Sequence, residues 1–193
     1  AEGDNQVVVG YASVFNSLSN DLGGFKELIS PDAFAGRTED DVRFLLNHDA
    51  NYVFGRTTSG TMNLTIDEVG LRYEVEMPDT QAARDLTVTM KRGDINQSSF
   101  AFSVEDDSWA EVDGEVIRTI HKVKRLYDAS VVTYPAYEEA SSEVAKRSME
   151  AWKESEKLKL ATEKDKEKSK KEEQDLFKRN LAELRLKIKN KRK

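Results

Sequence analysis

A β-rich α+β fold is the class this chain predicts, on three observations. Short runs rich in β-branched and aromatic residues recur through residues 1–133, separated by turn-forming clusters. Within that stretch only residues 80–92 carry apolar side chains at helical spacing. From about Glu138 onward β-formers become scarce and charged helix-formers take over, so residues 1–145 are expected to form one domain and 146–193 a charged helical tail.

The elements follow in order. Residues 6–15 read as a strand, and the turn-prone "NSLSNDLGG" (16–24) ends it. Pro31 is placed to open a short helical turn through Phe34. Further strands are expected near 42–47, 61–66 and 69–77, the last two joined as a hairpin around residues 67–70. Thr80 has the side chain to cap a helix through Arg92, since Ala83, Leu86 and Met90 recur on one face and Gly93 follows as a stop. Strands near 98–106 and 108–112 come next. The dipeptide Asp113-Gly114 is the strongest hairpin signal in the chain, and the return is expected as strands 115–126 and 127–133, ending before Pro135.

In the tail, "EKDKEKSKKEEQD" (163–175) has no apolar side chain and can bury nothing. Leu176, Phe177, Leu181, Leu184 and Ile188 then restore an apolar stripe, which either awaits a partner or folds back on the first domain. A stripe on a charged helix also suits pairing with a second copy, so a homodimer is the expected self-association.

Composition excludes several classes of function. At 193 residues and 38% hydrophobic content the chain is long enough for one core and an appendage. The absence of cysteine removes disulfides, thiolate metal sites and a cysteine nucleophile. Two histidines far apart make a structural zinc site an unsuitable reading, and no metal or cofactor is expected. No run of 18 apolar residues exists, and the N-terminus lacks a basic-then-apolar signal, so neither a membrane role nor an export signal is expected. The chain starts at Ala1 and enters the first strand pattern almost at once, which suggests a processed N-terminus. Residues 1–137 hold 12 basic and 23 acidic side chains, whereas 138–193 hold 18 and 13. An acidic body is no nucleic-acid binder, and only the basic end "RLKIKNKRK" (185–193) offers an anionic partner anything.

Three segments bring together the residue types of a serine-protease site: "RFLLNHDA" (43–50), "NQSSFAF" (96–102) and "RLYDASVVTYPAY" (125–137). Peptide hydrolysis by serine needs a base for the hydroxyl proton, a group that fixes the base's tautomer, and donors for the oxyanion. His48 is the best base available, since imidazole titrates near neutral pH. Alone, each residue has an ordinary reading. A histidine between Asn47 and Asp49 is a common strand-end residue, and Ser98-Ser99 is common local hydrogen-bonding chemistry. Because strand side chains alternate, only one of the two serines can face His48.

The order and spacing of "VVVGYASVFN" (7–16), "LGGFKELISPDAF" (22–34), "LLNHDANYVFGR" (45–56), "RGDINQSSFAF" (92–102) and "LYDASVVTYPAY" (126–137) resemble the prohead maturation proteases of tailed bacteriophages, relatives of the herpesvirus assemblins. The resemblance spans roughly residues 7 to 145. It implies an assemblin-like closed, mostly antiparallel β-barrel flanked by helices, followed by the charged C-terminal helix. It also implies a serine endopeptidase, packaged in the immature capsid in the host cytoplasm, that cleaves the scaffold part of the major capsid protein and itself. The rival reading is an inactive assembly factor that binds through its C-terminal helix.

By the same resemblance Ser99 is the nucleophile, because it directly precedes Phe100-Ala101-Phe102 and so fits the family's serine-aromatic-small-Phe pattern, with Ser98 the alternative. This chain has Gln97-Ser98-Ser99 where relatives usually have one serine after Gly-Met, and Asp128 where many have glutamate. For the third member Asp128 is preferred to His121, since a carboxylate stabilises an imidazolium better than a neutral ring does. Asp49 is too close in sequence to His48 to reach its ring easily.

Overall fold

The computed structural model describes residues 6–134 and the helix 142–190, in which the side chains at 142–144, 146, 165, 172–173 and 175–190 are not described. The processed N-terminus at Ala1 and the side chains of the apolar stripe from Leu176 to Ile188 and of the last basic residues lie outside the described residues, whereas the last strand ends at Val132, before Pro135, as expected. The chain divides into two units, Ala1–Glu143 and Val144–Lys193.

The first unit holds two sheets. Strands β1 (Val7–Val14), β5 (Met62–Ile66) and β6 (Gly70–Glu76) form an antiparallel sheet in the order β1-β6-β5. The second sheet contains β2 (Lys26–Ile29), β3 (Arg43–Leu46), β4 (Asp49–Arg56), β7 (Gln97–Val112) and β8 (Glu115–Val132). Its spine is β8. One edge of β8 pairs antiparallel with β7 along its length, and the other takes β2 at Ile117–Ile120 and β3 at Asp128–Val131, both parallel. The core lies among Val8, Leu71, Tyr73 and Val75 of the first sheet, Phe44, Ile120, Leu126 and Val131 of the second, and Ala83 and Leu86 of helix α1 (Gln81–Arg92). Burying that apolar surface at about 25 cal/mol per Å² is what holds the two sheets to a shared core.

Several expectations match these elements. Helix α1 begins where Thr80 accepts a hydrogen bond from the Ala83 amide and ends at Gly93, whose φ of 83° only glycine adopts readily. The β5–β6 hairpin turns on Asp67, whose Oδ1 accepts from the amides of Val69 and Gly70. Asp113 and Gly114 both have positive φ, the type I′ geometry that joins β7 to β8.

Four expectations are corrected. The sheets do not close into a barrel: among the described residues no ladder links the two sheets, β1 and β5 are free edges of one, and β4 is a free edge of the other. Closure requires the outer strands to pair with one another, whereas the ladder of outer strand β2 is with β8 and that of outer strand β4 is with β3. The strands expected at 98–106 and 108–112 are one strand, as are 115–126 and 127–133. The expected break coincides with register shifts between Val104 and Asp107, so bulges absorb the irregularity without ending the ladder. The segment after Pro31 makes successive four-residue turns in place of a helical element, with Ala33 N–H on Ser30 O and Ala35 N–H on Asp32 O. Strands β2 and β4 stand where no strand was expected.

The second unit contains helix α2 (Ser142–Asn190) from Val144 onward. Leu158 and Leu160 on it are exposed, and Glu156 pairs with Lys159 one turn later at 2.8 Å.

Candidate active site

His48 owes its position to a two-residue turn. Asn47 and His48 have φ of 52° and 58°, and Leu46 pairs with Asp49 across them, so β3 and β4 form a tight hairpin with the imidazole at its tip. Asn47 ties this tip to the end of β8: its amide donates to Val131 O, its side-chain nitrogen to Thr133 Oγ1 at 3.2 Å, and its side-chain oxygen accepts from the Thr133 amide at 2.8 Å. At the other end of the hairpin Asp41 binds the Arg56 guanidinium through Nε and Nη2, each at 2.7 Å. That guanidinium, helped by Thr58 and Arg43, holds the Asp41 carboxyl well below the usual carboxylate range.

Asp128 meets this tip from β8. Its Oδ1 lies 2.7 Å from His48 Nδ1. The carboxylate is buried and the imidazole half-buried. Asp128 Oδ1 also accepts from the Ser130 hydroxyl at 2.8 Å, and Ser130 Oγ stands 3.3 Å from His48 Nδ1. With Nδ1 engaged, Nε2 is the nitrogen left to take a proton, and among the described residues it has no hydrogen-bond partner.

The two serines fall on opposite faces of the sheet. Ser99 is directly opposite Ser130 in the β7–β8 ladder, and Asp128 lies two residues before Ser130, so these three side chains share a face. The register runs unbroken from Gln97 to Ala101, so no bulge upsets this parity. Ser98 points the other way, with Phe100 and Ala129, into the core. There its hydroxyl is 2.9 Å from Tyr73 Oη. Burial pushes the Tyr73 phenol up, and the Ser98 hydrogen bond partly offsets this. The Ser99 hydroxyl is partly accessible and has no hydrogen-bond partner among the described residues; it is not within hydrogen-bonding distance of His48.

The remaining candidates lie elsewhere. His121 Nε2 bonds Ser108 Oγ at 2.7 Å on the exposed part of the β7–β8 hairpin. Asp49 turns its carboxylate onto the amide and side chain of Asn51, away from its neighbour's ring. Sequence reasoning missed Ser130, although its offset of two from Asp128 on a strand was signal enough to put both on one face.

The described residues thus contain a histidine oriented by a buried carboxylate and a serine on the same sheet face. The family model described as caudovirus prohead serine protease matches residues 1–155. The chain belongs to that family. It is therefore a serine protease, a hydrolase of capsid maturation in tailed phages, and its substrates are of the phage capsid kind. No curated protein and no solved structure matches the chain. No cluster of metal-ligating side chains occurs among the described residues, and no described helix is long and apolar enough to cross a membrane.

Proposed function

We propose that Ser99 is the nucleophile of this protease, His48 its general base and Asp128 the residue that fixes the base. The observation that carries the reading is the 2.7 Å contact between His48 Nδ1 and buried Asp128, made on the face that Ser99 shares. In this mechanism Nε2 takes the Ser99 proton as Oγ attacks the scissile carbonyl. The resulting imidazolium is stabilised by Asp128, and the same nitrogen returns the proton to the leaving amine. The ester formed on Ser99 is then hydrolysed by water, which His48 activates in turn. Substrate binding must bring Ser99 and Nε2 into contact, as catalytic hydrogen bonds that are long in a free enzyme commonly tighten when substrate arrives.

The substrate is the scaffold segment of the major capsid protein, cleaved inside the immature capsid in the host cytoplasm, and the protease also cuts itself. The charged helix serves as tether to scaffold or shell and as the segment where self-cleavage falls, since exposed, weakly packed chain is what proteases cut. Purified protease mixed with capsid protein carrying its scaffold segment tests this. Wild-type enzyme is expected to shorten the capsid protein and its own chain by intact mass, and Ser99→Ala to leave both whole. Capsid protein processed at the wild-type rate by Ser99→Ala would remove Ser99 from the mechanism.

A further inference from the structure

We infer that Ser130 is a positioning residue for the His48–Asp128 pair, an inference that rests on the proposed Ser99, His48 and Asp128 mechanism. Ser130 is fully buried, so a peptide carbonyl cannot approach it as it can Ser99. A buried hydroxyl needs partners, and its two are the two groups that prepare the attack: Asp128 Oδ1 at 2.8 Å and His48 Nδ1 at 3.3 Å.

Proton bookkeeping fixes what each contact does. Asp128 is acceptor-only when ionised, so both short contacts at Oδ1 are donations, one from the Ser130 O–H and one from the imidazole Nδ1–H. The single hydroxyl proton is spent on Asp128, so at the 3.3 Å contact Ser130 Oγ accepts from the same Nδ1–H, in a longer shared bond. Three atoms thereby close a small network in which the imidazole proton is held on Nδ1 by two acceptors, leaving Nε2 unprotonated to act as base. The Ser130 donation also fixes the Asp128 carboxylate in one rotamer. Ser130 further supplies the cross-strand partner of Ser99, so one residue sets the tautomer of the base and lies against the nucleophile.

Inactivation of the full chain by diisopropyl fluorophosphate tests this, since the reaction needs the activated serine but no known cleavage site. Wild-type protein is expected to be labelled at Ser99. Ser130→Ala is expected to lower the maximal inactivation rate about tenfold, the loss of one hydrogen bond to a charged group. The reagent concentration at half-maximal rate should stay within about twofold, because Ser130 does not touch the reagent. Ser130→Thr, which restores a hydroxyl, should recover most of the rate, and the downfield proton resonance of His48 Nδ1–H should weaken or move in Ser130→Ala and return in Ser130→Thr. If Ser130→Ala does not give a wild-type circular dichroism melt, Ser130→Cys keeps the shape with a somewhat larger atom, weakens the donor and is expected to show the same rate loss. Labelling at Ser99 that proceeds in Ser130→Ala within about twofold of wild type, with the Nδ1 resonance unchanged, overturns the role of Ser130 and leaves the triad standing. Wild-type protein that resists labelling, or carries the label away from Ser99, overturns the triad and this inference together.

Discussion

Exchanging each of the two adjacent serines for alanine should separate stability from catalysis. Ser98 faces the core, where its hydroxyl is the partner of Tyr73 Oη at 2.9 Å, and Tyr73 is only 2% exposed. Ser98→Ala leaves that phenol without its partner, and an unsatisfied buried hydroxyl costs about 1–3 kcal/mol. With an m-value of about 2 kcal/mol/M in urea, the unfolding midpoint should fall by roughly 0.5–1.5 M. Ser99 has no hydrogen bond to lose among the described residues and is partly accessible, so Ser99→Ala should change stability by no more than about 0.5 kcal/mol. Activity should divide the other way. Ser98→Ala retains capsid-protein cleavage, whereas Ser99→Ala loses it by about 10⁴-fold or more. Urea titration of both variants, followed by tryptophan fluorescence, with cleavage assayed in parallel below the transition, reads both quantities. The reverse pattern, Ser98→Ala stable and inactive with Ser99→Ala unstable and active, would mean that β7 is displaced by one residue and that the face assignment is wrong.

Three further outcomes follow from the same contacts. Asp128→Asn should cut turnover about 10⁴-fold without unfolding the protein, because an amide NH₂ facing Nδ1 favours the tautomer that blocks Nε2; cleavage within tenfold of wild type would remove the orienting role. Arg118 holds Glu27 at 3.2 Å and Asp107 at 2.6 Å in a nearly buried triad, so Arg118→Ala should cost about 3–5 kcal/mol at pH 7 by leaving two carboxylates uncompensated. Burial, against the pull of Arg118, already raises the Glu27 carboxyl above its ordinary range, so the folded state takes up its proton more readily than the unfolded one and Glu27's contribution to stability falls as pH rises through that range. The deficit of Arg118→Ala should therefore shrink between pH 7 and pH 4, and urea titrations with a constant or growing deficit would contradict this. A Cβ at Gly10 would overlap Tyr73 Oη and lie 2.7 Å from its Cζ, so Gly10→Ala should destabilise by about 1–3 kcal/mol in a thermal melt.

What the sequence made legible was local. Helix α1 was readable because Thr80, the apolar face and Gly93 agree, and the β5–β6 and β7–β8 turns because Asp67 and Asp113-Gly114 have turn chemistry of their own. What stayed hidden was set by distant partners. Strand β2 is four residues, "KELI", with no pattern to mark it, and it exists because Lys26–Ile29 aligns with Ile117–Ile120 some 90 positions later. Strand β4 was missed because the turn before it, Asn47-His48, lacks the glycine that normally signals positive φ. Whether sheets close is likewise decided by which edges find each other. For the site, residue type offered His48 and Asp128 and the resemblance to the prohead proteases singled them out; the structure joins them, but Ser130 reads as one more small residue in an apolar run.

The location of a fluorophosphonate adduct, determined by peptide mass after digestion, tests the central claim most directly. The account predicts one adduct on Ser99 in the wild-type chain, lost in His48→Ala. An adduct on Ser98, or labelling of Ser99 that persists undiminished without His48, would contradict it.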